Sequence, residues 1–179
     1  MKTSLRLPLN ENTILTLLDE LLRQPSAHAV IEPIASRVVA RLRANPILAL
    51  AWEPVPLDTY GNELPTFIRS SWVFVLRGDS ASGAERHPNS HQRVMAYRGD
   101  GDLQIRTGNE WQSHMLTSNP LAPLESRWAS IPPKVWHQAV VSGTDWIVVS
   151  FHTVADFELI EERPGEPNAD STRKRKYLE

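Results

Sequence analysis

The chain has 179 residues, with 41% hydrophobic and 22% charged, which is enough for one domain with a sizeable core. Its 19 Lys and Arg against 21 Asp and Glu give a formal charge of −2, so no global basic field points to nucleic acid or an anionic membrane. The absence of cysteine excludes disulfides, thiolate metal sites and a cysteine nucleophile, and no run approaches the roughly 18 apolar residues of a membrane-spanning helix.

Residues 1–9 carry no periodic pattern. The best apolar run near the start, Ile14 to Leu22, is broken by Asp19 and Glu20 and lacks a small-residue cleavage site, so it does not read as a signal peptide. A soluble cytoplasmic protein is the expectation. Ile14, Leu15, Leu17, Leu18, Leu21 and Leu22 fall at helical spacings, with Asn12 or Thr13 as the cap and Pro25-Ser26 as the stop. A second helix is predicted from about His28 to Ala44, with Ile31, Ile34, Val38, Val39 and Leu42 as its apolar face, ending at Asn45-Pro46. Neither stripe is buried by the other alone, so residues 1–46 read as a helical hairpin that packs on another layer. Residues 47–66, broken by Pro54, Pro56, Gly61 and Pro65, read as loop-rich.

From Phe67 the pattern changes to strands. Ser70 to Leu76 is dense in β-branched and aromatic residues. Shorter strands are predicted at Ala84 to His87, His91 to Tyr97, Leu103 to Arg106, Trp111 to Leu116, Arg127 to Ile131, His137 to Val141, Trp146 to His152 and Phe157 to Ile160. Short strands with regular turns give a mainly β fold, a barrel or sandwich, over residues 47–162. Residues 163–179, ending in Arg173-Lys174-Arg175-Lys176 before the last residues, read as a charged, solvated tail.

Chemistry-bearing groups concentrate in two places. Glu85-Arg86-His87-Pro88-Asn89-Ser90-His91-Gln92 offers a carboxylate, two imidazoles and an amide, and Pro132-Pro133-Lys134-Val135-Trp136-His137 adds an imidazole after a proline turn. Residues two apart on a strand share a face, so Glu85 and His87 point the same way. The Pro88-Asn89-Ser90 turn resets the phase, which lets Gln92 face them again. Two histidines and a carboxylate suit Fe(II), Mn(II), Ni(II) or Zn(II). Should the turn be longer, His91 replaces Glu85 in a site of three histidines. Arg127 before the second stretch is a candidate for clamping a substrate carboxylate at the mouth, while His114 and His152 read as structural.

Glu85-x-His87, Gln92 and Gly99 resemble the first motif of the cupin superfamily, and Pro132 to His137 resembles the second, over about residues 67–160. The spacings match, whereas Glu85 stands in place of a histidine, Gln92 in place of the glutamate and Lys134 in place of the turn glycine. The resemblance implies a single cupin-like jelly-roll β-barrel preceded by the helical hairpin, a layout loosely similar to that of thiol dioxygenases. It also implies a divalent transition metal, Fe(II) favoured, on Glu85, His87 and His137, with Gln92 as a possible ligand or catalytic group beside Arg127. The function so implied is that of a metal-dependent enzyme, a dioxygenase-like oxidoreductase, acting on a small polar or acidic metabolite. A metal-dependent isomerase or lyase and a non-catalytic small-ligand-binding cupin stay open; a homodimer is expected, and no nucleic-acid or membrane partner is.

Overall fold

The computed structural model describes residues 10–165 and the backbone of 172–176. Helix α1 spans Glu11–Leu22 and is capped by Asn10, whose side chain accepts the Thr13 N–H at 2.8 Å. The cap therefore lies two to three residues ahead of the positions, Asn12 or Thr13, expected from the apolar pattern. Helix α2 spans Pro25–Ala44. Pro25 opens this helix rather than only closing the first, because at the first helical position its missing N–H has no intrahelical partner to lose. Among the described residues no helix is long and apolar enough to cross a membrane.

The strands follow in order: β1 Leu50–Pro54, β2 Ser70–Leu76, β3 Ser80–Ala81, β4 Gln92–Arg98, β5 Asp100–Thr107, β6 Glu110–Gln112, β7 Met115–Thr117, β8 Trp128–Ile131, β9 His137–Val141, β10 Trp146–His152, β11 Ile160–Pro164 and β12 Thr172–Lys176. They form a five-stranded antiparallel sheet ordered β1-β2-β10-β4-β8, a second sheet ordered β3-β9-β5-β6 with β7 also on β5, and the β11-β12 pair. The architecture is a jelly-roll sandwich with a helical layer on one face.

Strand parity explains how the layers are held. On β2 and β10, Val73, Val75, Ile147, Val149 and Phe151 face the helices and pack with Leu18, Ile31, Val38 and Leu42. Leu76, Trp146 and Val148 face the other way and pack with Val94, Leu103, Ile131 and Ala139 between the sheets. Both faces of β10 are covered, so all seven of its residues are buried and its sequence reads as a near-continuous apolar run. Ser150 and His152 share the parity of Trp146 and Val148, which points them into the sandwich.

A buried ion pair ties α1 to the sheet. The Asp19 carboxylate accepts from both terminal nitrogens of Arg127 (Nη2 at 2.9 Å), from Trp128 Nε1 at 2.9 Å and from Arg23 Nε at 2.8 Å. Burial works against ionisation of Asp19, but these donors outweigh it and hold its pKa below the usual carboxylate value.

Two expectations change. Residues 50–54, inside the stretch read as loop, form an edge strand on β2. Residues 160–164, which straddle the expected end of the barrel at 162, pair with 172–176 inside the expected tail, and Glu161 and Glu162 are buried. Residues 166–171 and 177–179, like residues 1–9, lie outside the described residues.

Candidate metal centre

The 85–87 segment lies between the second sheet and the C-terminal strand pair. Glu85 and His137 exchange both backbone hydrogen bonds, N–H to carbonyl at 2.9 and 2.8 Å, which sets the two side chains opposite each other. Arg86 makes the same exchange with Glu162 on the other side, at 3.0 and 2.9 Å. Alternation then puts Glu85 and His87 on the inner face and Arg86 outside, where it pairs with Glu162 and lies 4.7 Å from the Trp136 ring centre.

The second motif is held to the first through its turn. The Lys134 N–H donates to the His87 carbonyl at 2.9 Å, with Lys134 at φ 69°. That left-handed conformation is why glycine suits this position, and a lysine holds it against a steric penalty of about 1 kcal/mol or more.

The ligand atoms of Glu85, His87 and His137 all lie within 4.8 Å of one another. His87 Nδ1 sits 3.0 Å from the Ile160 carbonyl and His137 Nδ1 3.1 Å from the Val135 carbonyl. A carbonyl can only accept, so each Nδ1 carries a proton and Nε2 is the ring nitrogen left to bind a metal. His137 Nε2 is buried, lies 3.5 Å from Glu85 Oε1 and has no hydrogen-bond partner among the described residues. The other carboxylate oxygen, Oε2, accepts from Arg163 Nη2 at 2.8 Å. Burial opposes ionisation of Glu85, yet His137, His87 and Arg163 overcome it and bring its pKa down to about 2. Burial in turn pushes the His87 pKa down, so its neutral, ligating form is favoured.

A cavity of about 40 Å³ adjoins Glu85 and His137. Glu85, Gln92, His137 and Ser82 supply its polar wall; Phe74, Leu76, Val94, Leu103, Val148 and Trp146 supply most of the apolar one. Gln92 Oε1 and Trp146 Nε1 are buried there with no hydrogen-bond partner among the described residues. Orphaned polar atoms converging on one cavity are what a bound ion with an oxygen ligand satisfies. The donor set therefore fits a divalent transition metal, with Glu85, His87 and His137 as ligands and Gln92 in reach of the same space.

Two candidates lie elsewhere. Arg127 is not at the mouth: its guanidinium is buried on Asp19 and on the Ala122 carbonyl at 3.0 Å, which makes it a structural clamp. His91 turns outward, with Nε2 2.7 Å from Ser130 Oγ and 3.8 Å from Glu11, and does not join His87 and His137. His152, read as structural, is fully buried between Ser90 Oγ at 3.4 Å and Ser150 Oγ at 3.3 Å, with its ring centre 5.2 Å from that of His87. Burial drives its pKa well below the ordinary imidazole value. Arg163 and the Ile160 carbonyl were not anticipated, since both belong to the stretch at the end of the predicted barrel. The only sequence signal for them is the strand predicted at Phe157 to Ile160, which the structure shifts along the chain: Asp156–Glu158 is a 3-10 turn and the strand runs over Ile160–Pro164.

No family model matches the chain, and no curated protein matches it. Among solved structures it is similar to recombinant pro-11S globulin of pumpkin, at 18% identity and TM-score 0.50, over 66% of this chain and 29% of that one. Oxalate oxidase in complex with glycolate aligns at 14% identity and TM-score 0.47, over 62% of this chain and 54% of that one. The capsular polysaccharide assembling protein CapF of Staphylococcus aureus aligns at 16% and 0.42, over 59% and 26%. The chain thus spans between 26% and 54% of the length of these proteins. With its jelly-roll sheets, the two motif segments facing each other across one cavity and the likeness to the globulin, the chain has the fold of the cupin superfamily.

Proposed function

We propose that this chain is a metal-dependent cupin enzyme that holds one divalent transition ion on Glu85, His87 and His137 and oxidises a small substrate with O₂. The observation that carries the reading is the convergence of one ligand atom each from Glu85, His87 and His137 within 4.8 Å of one another, with both imidazole Nδ1 atoms bonded to backbone carbonyls at 3.0 and 3.1 Å. Two neutral imidazoles and one carboxylate leave open positions on an ion and suit Fe(II) first, with Mn(II), Ni(II) and Zn(II) also compatible. Such an ion would supply Lewis-acid charge stabilisation and, as Fe(II), redox chemistry with O₂.

The protein's own part is positioning and exclusion of water. Arg163 holds one carboxylate oxygen, which presents the other to the centre. Gln92, buried and with Oε1 unsatisfied, is placed to hydrogen-bond a bound water or the reacting end of a substrate. The cavity of about 40 Å³ admits only a small reacting group, and its apolar wall keeps that group dry. A substrate that meets the ion through an oxygen, such as a small carboxylic or hydroxy acid, is the class this arrangement favours.

The test is oxygen uptake by metal-free protein reloaded with Fe(II), across a panel of small hydroxy and keto acids. Uptake that needs both Fe(II) and one of these acids supports the proposal. Turnover that proceeds without O₂ and is equally supported by Zn(II) would make the chain an isomerase or lyase. One observation favours a third reading: most of the cavity wall is apolar, and Glu85 already has Arg163 as a partner. Ligand binding without turnover under any metal would establish a non-catalytic binding domain instead.

A further inference from the structure

The metal cavity has a neighbour. A surface pocket of about 300 Å³ is lined by Ile47, Leu48, Leu50 and Trp52 on one side and by Ser82, Glu161 and Arg163 on the other. Leu50 and Ser82 also line the inner cavity, and Arg163 of the outer pocket is bonded at 2.8 Å to Glu85 of the inner one. The two spaces are therefore adjacent, with Leu50 and Ser82 as shared walls. Topology explains the position. Among the described strands β1 is the edge of the first sheet and β3 the edge of the second. Leu50 opens β1 and Ser82 directly follows β3, so the pocket lies where the two sheets part. Ile47 is 92% exposed and Leu48 is exposed as well, and both lead into this opening. Two apolar side chains exposed at the mouth of a polar centre have no packing role that burial would reveal.

We propose that this outer pocket is the entrance to the metal cavity and its specificity pocket: the substrate's oxygen end reaches the metal, and an unbranched apolar tail passes Leu50 and Ser82 to lie against Ile47, Leu48 and Trp52. The substrate class is thereby narrowed to a short acid with an aliphatic tail. This rests on the metal reading of Glu85, His87 and His137. The inner cavity takes only the head, because about 40 Å³ holds little more than a water-sized group. The outer pocket, at about 300 Å³, falls at the lower end of the range in which small ligands are bound.

Cobalt-loaded full-length protein, titrated with acetate, butyrate and hexanoate and followed by its visible absorption, tests this. Affinity is expected to rise about threefold to fourfold for each added methylene, the gain for moving one methylene out of water. Leu48→Asp and Ile47→Asp each place a charge in the outer pocket, at exposed positions that do not line the inner cavity. Both variants are expected to keep the acetate affinity and lose the chain-length gain. A flat series in the unaltered protein, no spectral response to any of the acids, or a gain that survives both substitutions would each overturn the entrance. Failure to take up cobalt at all is a different outcome: it strikes the metal assignment, and this inference with it.

Discussion

Replacing Arg163 with methionine keeps much of the side chain's bulk and removes its fork. The guanidinium donates to Glu85 Oε2 at 2.8 Å, to Glu161 Oε1 at 2.5 Å and to the Ser82 carbonyl at 3.0 Å. Hydrogen bonds to charged groups contribute about 1.5–3 kcal/mol each in protected sites. The Arg163 side chain is 30% exposed, so solvent screens part of this, and a loss of about 2–3 kcal/mol of metal-free stability is expected. Its effect on the metal has two opposed parts. The cation repels a dication nearby, but the Glu161 carboxylate beside it cancels most of that field. The loss of orientation of Glu85 therefore dominates, and removing a group that orients a ligand weakens metal affinity about 10- to 100-fold. The assay is zinc affinity by competition with a chromophoric chelator, run beside urea denaturation of the metal-free protein. Arg163→Lys should fall between, since an ammonium keeps the charge without the planar fork. An affinity within twofold of the unaltered protein would refute the positioning role, whatever happens to stability.

Asp19→Ala strands the buried Arg127 guanidinium and should cost about 3–5 kcal/mol in urea denaturation, whereas Asp19→Leu with Arg127→Met should recover most of it; equal losses in the single and double variants would contradict a coupled pair. Lys134→Gly relieves the φ of 69° and, after the added entropy of the unfolded chain, should raise stability by about 0.5–1 kcal/mol. A lower denaturation midpoint would instead place the strain elsewhere. The pH dependence follows from groups kept in their basic form. His152 is held neutral by burial, so below about pH 6.5 the unfolded chain takes up a proton that the folded one does not, and stability falls by up to about 1.4 kcal/mol per pH unit. Glu85, with its pKa brought down to about 2, adds a second loss as pH drops from about 4.5 toward that value. Denaturation midpoints across this range check the sign, and midpoints that rose on acidification below neutrality would contradict it.

The strands at Ser70 to Leu76, His137 to Val141 and Trp146 to His152 were legible because their β-branched and aromatic residues sit on surfaces covered on one or both faces. The site was legible for a related reason. Glu85 and His87 are two apart on an extended segment, and His137 follows a rigid turn, so local geometry alone fixes where they point. β1 was hidden by its length of five residues and by the prolines around it. β11 was hidden by charge: Glu161, Glu162 and Arg163 look solvated in sequence, and only their partners across the fold, Arg86 and Glu85 among them, make a buried strand of them. Arg127 illustrates the limit from the other side. Its place before the second motif suggested the mouth, while its partner Asp19 lies 108 residues away on a helix, beyond what spacing conveys.

The central claim is that Glu85, His87 and His137 hold a metal ion. Its most direct test is elemental analysis of the protein purified without added metal or chelator, and again after incubation with Fe(II) or Co(II) and desalting, together with His87→Ala and His137→Ala. About one transition-metal ion per chain in the unaltered protein, lost in both variants while their folds persist by circular dichroism, is the expected result. No metal before or after reconstitution would contradict the account and leave a buried Glu85–Arg163 ion pair beside two structural histidines.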